Sequence, residues 1–353
     1  KYIGRKFIFD FSLISLIFAI IILLATILTN VKEFHNLKII TFTQIILFKL
    51  PYLLQEILPF IILLSGVCTF SKLSKSSELV VARAAGISVW QLIRPTLIIS
   101  IMISIFNITI FNSLSAGLLN IQETLLNKYL HQSNNLVSVS NSGLWLIDNN
   151  NQDKSIINAK NISTSNMNLE DVTIMLMKKD NSFIKRIAAK TAIIKDNKLK
   201  LKDVIIYEPG KVSKRLQDYQ LKTYLQFDKL QNNYSASETK SFWELPEFIK
   251  QLKTAGFSAR RAILYYYNLI LNPFTLSAML LIAIPAGLKC TRVTKMSLRI
   301  TLGVICGFVI YFFIELVATL ALSGTIPLLL AASAPIFVSI LIAIAILLHL
   351  EDG

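Results

Sequence analysis

The sequence predicts an α-helical membrane protein with six transmembrane helices and an inserted all-β, jelly-roll-like domain. Two observations carry this. Six apolar stretches each come close to the ~20 residues that cross about 30 Å of hydrocarbon as a helix. They fall three and three around a polar insert at residues 120–260. Composition agrees: of 353 residues 54% are hydrophobic and 16% charged, too apolar for a soluble chain of this length. Three by three spans around an insert is the layout of a membrane transporter.

The stretches are Phe7–Leu28, Thr41–Phe70, Leu92–Leu114, Tyr265–Leu288, Leu298–Leu322 and Pro327–Leu348. Lys1, Arg5 and Lys6 precede the first, as in a signal peptide. It nevertheless reads as a span, because it is too long for a signal core and no small-x-small site follows Thr26 before Asn30. Cys68, Cys290 and Cys306 lie in or beside spans, so no disulfide framework, cysteine metal site or cofactor is implied.

Basic residues set the expected orientation. The amino terminus, Lys72–Arg94 and the loop with Lys289, Arg292, Lys295 and Arg299 are expected on the cytoplasmic side. Both termini are then inside and the insert outside. The insert is itself basic, but long translocated domains largely escape the rule.

Within the insert the period changes to two. Gly143–Ile147, Val172–Met177, Ala189–Ile194, Lys198–Tyr207 and Tyr219–Phe227 read as strands between turn clusters such as Asp148–Gln152. With no helical crossover between them, they predict a sandwich or jelly-roll. Leu245–Gly256 reads as an amphipathic helix with Leu245, Phe248, Ile249 and Leu252 on one face and Gly256 as its stop. The expected domains are therefore 1–119, 120–260 and 261–353.

Missing motifs exclude several chemistries. There is no GxxxxGK[ST] loop, so any ATP energy has to come from a partner, and no GxSxG elbow. His35, His131 and His349 are scattered without a metal or acid-base spacing. Ionisable groups in the spans are Asp10, Glu56 and Glu315. Asp10 and Glu56 read as boundary carboxylates that cap or snorkel. Glu315 is mid-span and faces either a cavity or another helix.

The sharpest local signal is the loop at 76–88. Ser76 or Ser77 is placed to cap a short helix, Glu78 suits its positive end, and Gly86 stops it. The expected contact face for a partner's slot carries Leu79, Val80 and Arg83, while Ala82, Ala84 and Ala85 permit close approach. The competing reading is a helix resting on lipid, against which stand the lack of large aromatics and the low basic count.

These residues resemble the lipopolysaccharide export permeases, the LptF/LptG (YjgP/YjgQ) family, and the LptG member more than LptF. The resemblance rests on the Leu-Pro pairs at Leu50–Pro51 and Leu58–Pro59, SELVVARAAGIS at Ser77–Ser88 and GLWL at Gly143–Leu146. Asn272–Phe274, and Gly303 and Gly307 followed by Phe308, add to it. It implies a permease of an ABC exporter that extracts lipopolysaccharide from the inner membrane. The implied partners are a paralogous LptF-like permease, a dimeric cytoplasmic LptB-like ATPase and periplasmic LptC- and LptA-like bridge proteins, and no nucleic acid. It makes Ser77–Ser88 the coupling helix, with Glu78, Leu79, Val80, Arg83, Ala84 and Gly86 as coupling residues. It puts basic residues for the anionic head group near the outer end of the first span, where Lys32 and Lys38 stand.

A lipid with several acyl chains also needs an apolar wall and a cationic rim. Phe11, Leu16, Phe308, Tyr311 and Phe312 are candidates for the wall, with Glu315 on the same span, and Lys32, Lys38 and Lys49 for the rim. Ordinary packing competes for the first group and solvated loop lysines for the second. Two other classes of function remain at this level, a membrane enzyme on lipid-linked sugar and an envelope scaffold. The first needs paired acids at the membrane boundary, and the second leaves the docking helix without a use.

Overall fold

The computed structural model describes residues 2–30, 39–129, 136–140, 143–149, 153–163, 168–178, 182–195, 198–210, 212–222, 237–254, 258–288 and 296–352. Chain contacts divide the protein into two units, 1–122 with 264–353, and 123–263.

The first unit is helical. In chain order come α1 (Tyr2–Asn30), α2 (Ile39–Lys75), α3 (Glu78–Ala84), α4 (Val89–Phe106), a π-helical turn (Asn107–Phe111) and α5 (Asn112–Tyr129). Among the described residues six helices are long and apolar enough to cross a membrane, and α4, the π turn and α5 together supply the third. That helix runs on to Tyr129, past the expected start of the insert at Asn120, and the division between the units falls within it at 122/123. The apolar signal ends at Leu114, but backbone hydrogen bonding carries the amphipathic continuation forward.

α2 is the central span. Its most apolar stretch is 56% buried, against 6% for α1. Pro51 and Pro59 lie inside it, each removing a backbone donor, which a helix packed among others tolerates. Phe7 from α1, Ile62, Leu63, Val67 and Phe70 from α2, and Leu276, Met279 and Leu280 from the fourth span meet in one core.

The third span joins that core through Leu92 and Ile93 and adds polar contacts to the fourth. Ser104 Oγ donates to Asn272 Oδ1 at 2.7 Å, and Asn112 Nδ2 donates to the Tyr265 hydroxyl at 3.1 Å. Asn272, singled out from sequence in its Asn-Pro-Phe run, thus ties the fourth span to the third.

The second unit holds β1 (Leu136–Ser140), β2 (Gly143–Asn149), β3 (Asp153–Ser163), β4 (Asn168–Lys178), β5 (Phe183–Lys195), β6 (Lys198–Tyr207) and β7 (Lys214–Lys222). They form one antiparallel sheet in the order β1-β2-β3-β4-β5-β6-β7. The all-β class holds. The order is a meander, each strand paired with the next, without the crossings that mark a jelly-roll, so that detail of the expectation is corrected for the described strands. β1 and β3 escaped the sequence reading: β1 is only five residues long, and Asn and Lys interrupt the alternation of β3. Of the expected strand Tyr219–Phe227, the last five residues lie outside the described residues.

Alternation itself breaks along one row. Consecutive inward residues are three apart at Leu169 and Val172, at Ala189 and Ala192, and at Leu201 and Val204. Val172 pairs with Ala189, and Ala189 with Val204, so the extra residues align across three strands. Asp171 and Asp203 accommodate the break with φ of 52° and 51°. Aspartate enters this left-handed region more easily than branched residues do. Asp171→Gly is therefore expected to leave stability of the β unit unchanged, whereas Asp171→Val costs about 1–2 kcal/mol. Thermal unfolding of the two purified variants measures the difference.

α6 (Leu245–Thr254) follows, with Leu245 and Leu252 buried as its periodicity predicts. Phe248 and Ile249 complete that face against Ala259 and Ala262. Gly256, its expected stop, lies outside the described residues. α7 (Arg260–Leu288), α8 (Met296–Ser323) and α9 (Leu328–Asp352) then supply the last three spans.

Candidate functional site

The loop between α2 and α4 is built as a corner. α2 stops at Lys75, and Ser77 turns the chain with a φ of 61°. α3 then runs for seven residues. It ends where Gly86, at a φ of 82°, lets Ile87 N donate to Ala82 O at 3.1 Å, a left-handed stop only glycine adopts without strain. Ser88 caps α4 in a reciprocal exchange with Gln91. Of the two expected serine caps of α3, Ser77 stands at the cap position, its carbonyl accepting from Val81 N at 3.1 Å, and Ser76 is corrected. The Ser76 hydroxyl has the carbonyls of Lys72 and Leu73 and, shortest at 2.9 Å, Glu78 Oε1 within hydrogen-bonding distance, at the end of α2 rather than over the first turn of α3.

Seven residues of helix present two faces. Leu79 is 5% exposed and joins the core of the helical unit, with Ala82 packed beside it. Leu79 is therefore an anchor and not a contact residue, contrary to its expected role, because an isolated turn this short needs one buried side chain to hold it. The outward face carries Val81, 69% exposed, followed by Ala84, Ala85 and Gly86. Sequence reasoning missed Val81, whose two-residue offset from Leu79 puts it on the opposite side of the turn. The side chains of Val80 and Arg83 lie outside the described residues.

Glu78 has a partner that the sequence did not reveal. Lys6 Nζ donates to both its carboxylate oxygens, at 2.9 and 3.1 Å, and the Tyr2 hydroxyl reaches Oε1 at 3.4 Å. The Lys6 ammonium also sits 4.4 Å above the Tyr2 ring. Its hydrogen bonds hold the Glu78 carboxyl below the ordinary 4.5, with desolvation opposing and Ser76 adding to Lys6. A depressed folded pKa means that the pair's contribution is full above the ordinary value and fades as pH falls through the folded one. The carboxylate is about one-third exposed, so that contribution is at most about 1 kcal/mol. Glu78→Gln is expected to cost up to about 1 kcal/mol at pH 7 and nothing well below pH 4.5, where the wild-type carboxyl is protonated, so its stability varies less across that range, as read by thermal melts across pH.

Asp10 is no snorkelling carboxylate. It is buried, accepting from Thr69 Oγ1 at 2.8 Å and from Lys72 Nζ at 2.5 Å, so it joins α1 to the end of α2. Glu56 and Glu315 are exposed. Tyr311, one turn from Glu315 on the same helix, is half-buried.

The candidate wall divides. Tyr311 packs inward on Phe60, ring centroids 4.7 Å apart, while Phe308 and Phe312 are each 61% exposed. Leu16 is exposed and Phe11 is packed against the core. α1 and α8 both lie against α2. Lys32 and Lys38 fall outside the described residues. Gly303 and Gly307 serve packing, since a Cβ added to Gly303 would meet Ala286 and one on Gly307 would meet Leu63.

Six apolar spans, a β insert after the third and this corner after the second are now in place. The profile of the lipopolysaccharide export system permease LptF/LptG family matches residues 1–349. The chain belongs to that family. No curated protein matches it. Membership makes this a transporter permease and a multi-pass membrane protein. The Gly-Leu-Trp-Leu run singled out from sequence falls on β2, where Leu146 is wholly buried in the sheet core.

Proposed function

We propose that this LptF/LptG-family chain is the membrane-spanning permease subunit of an ABC exporter that extracts lipopolysaccharide from the inner membrane and passes it to a periplasmic bridge. ATP is hydrolysed by a separate dimeric cytoplasmic ATPase, and a second six-span permease completes the channel. SELVVARAAG and GLWL favour the LptG role for this chain. The basic loops support termini and α3 on the cytoplasmic side and the sheet in the periplasm.

One observation carries the reading: between two spans, α3 offers Val81, Ala84, Ala85 and Gly86 outward beside the Glu78 carboxylate, while Leu79 anchors it from behind. Small outward residues admit a partner's groove to within backbone distance, and the carboxylate supplies a point of charge for a basic residue of the ATPase. Exposed Phe308 and Phe312 support α8 as a wall for acyl chains. Lys32 and Lys38 supply the cationic rim for phosphate and sugar acids.

Co-expression with the ATPase and the companion permease, followed by affinity purification through this chain, tests the assignment. The expected result is one complex containing all three and bound lipopolysaccharide. Recovery of this chain without an ATPase, or with an ATPase that stays bound when residues 78–86 are replaced by Gly and Ser, rejects docking through α3.

A further inference from the structure

We propose that Asp10 is the positioning residue of a two-rung polar clamp, Lys6–Glu78 and Asp10–Lys72–Thr69, that makes α1 move with the α3 corner. The inference rests on the docking role of α3 and adds to it the path by which a partner's movement reaches the first span.

Tyr2, Lys6 and Asp10 recur every four residues, which sets them on one face of α1. Opposite them Thr69, Lys72 and Ser76 recur at three and four residues on one face of α2, and Glu78 stands at the start of α3. The contacts pair off in order along both rows. Tyr2 and Lys6 meet Glu78, and Asp10 meets Thr69 and Lys72. Ser76 closes the line by donating to Glu78 at 2.9 Å. Phe7, with no exposed surface, belongs to the apolar core beside these contacts.

The polarity of the rungs alternates: α1 offers a cation to α3 and an anion to α2. Slipping α1 by one turn, about 5.4 Å, in one direction sets Lys6 against Lys72. Slipping it in the other sets Asp10 against Glu78. Both displacements oppose like charges, so the interlock favours one register and resists sliding. α1 therefore follows the corner as a body. Apolar packing of Phe7, Phe11 and Ile22 holds α1 against its neighbours, and the charged rungs add a fixed register to that contact.

The chemistry of Asp10 also exceeds what stability requires. A carboxylate 3% exposed inside a span carries a heavy desolvation cost, and an apolar residue of similar volume at such a site generally holds helices together as well or better. Its retention beside Lys72, whose side chain is 51% exposed, gives a charged contact of fixed register that apolar packing does not give. Lys72 keeps its head in solvent when Asp10 is neutralised, so Asp10→Asn removes the charge without stranding a buried cation.

The experiment uses the complete complex in proteoliposomes, with lipopolysaccharide as the probe, and follows complex yield, ATP hydrolysis and lipid released per ATP. Asp10→Asn is expected to leave yield and hydrolysis at the wild-type level while lipid released per ATP falls about tenfold, within the usual range for coupling between sites. Lys72→Arg, which keeps the cation, is expected to retain release. A fall in yield and hydrolysis together with release, in proportion, shows a purely structural role and overturns the proposal. So does unchanged release per ATP in Asp10→Asn. Wild-type complex that hydrolyses ATP without releasing lipid overturns the exporter reading itself, and the coupling role of Asp10 falls with it.

Discussion

Replacing Gly287 by alanine is expected to prevent recovery of a folded, monodisperse permease, although the change adds one methyl group. That Cβ would stand 2.5 Å from Phe70 Cβ, 3.0 Å from Ser71 N and 3.1 Å from Phe70 C. Two of the three are backbone atoms of α2, and Phe70 is wholly buried, so no side-chain rotation relieves the clash. The fourth span and α2 have to separate, and with them the core formed by Phe70, Val67, Leu280 and Ala283. Overpacking of this kind costs about 1–3 kcal/mol, and more where backbone has to shift. Gly117→Ala is the control. Nothing lies within 4 Å of a Cβ there, and removing a mid-helix glycine contributes roughly 0.5–1 kcal/mol of stability. Size-exclusion recovery and melting of the two alanine variants are expected to move in opposite directions; equal recovery would show that the helices yield at Gly287.

Glu78→Ala is expected to abolish productive docking of the ATPase while the chain still inserts and folds. At the surface of the free chain the Lys6 pair contributes no more than about 1 kcal/mol, so its loss is tolerated. A charge pair desolvated inside an interface costs about 2–5 kcal/mol when one partner is truncated, which lowers affinity by more than tenfold. The difference between the two magnitudes is the test. Complex recovery and lipopolysaccharide release should collapse while melting of the free permease hardly shifts. Lys6→Ala separates the intramolecular from the intermolecular role, because it removes the internal partner and leaves the carboxylate for the ATPase. Full export by Glu78→Ala at unchanged complex yield would remove Glu78 from the coupling role.

Much of this protein was legible in its sequence. Six spans follow from hydrocarbon thickness and helix rise, quantities independent of partner, so Phe7–Leu28 and Leu298–Leu322 fall within α1 and α8. β6 at Lys198–Tyr207 matches the strand read from alternation, because one face of an antiparallel sheet is buried and the other wet. Gly86 announced its stop, since few other residues adopt that φ. Residue types at fixed spacing carried the family resemblance from Leu50 to Phe308.

Three features were decided only when helices came together. Leu79 reads as a surface residue in a seven-residue helix until the core behind it shows which side is buried. Asp10 reads as a boundary carboxylate until Thr69 and Lys72, 59 and 62 residues away, converge on it. Lys6 and Glu78 are 72 residues apart, and nothing local in either segment points to the other. Hydrophobic periodicity is a property of one segment and survives in the sequence. An ion pair is a property of two segments and exists only where packing sets them within about 3 Å of each other. The spans of this permease were fixed by its composition, while the polar contacts that join α1 to the α3 corner were fixed by how α1 lies on α2.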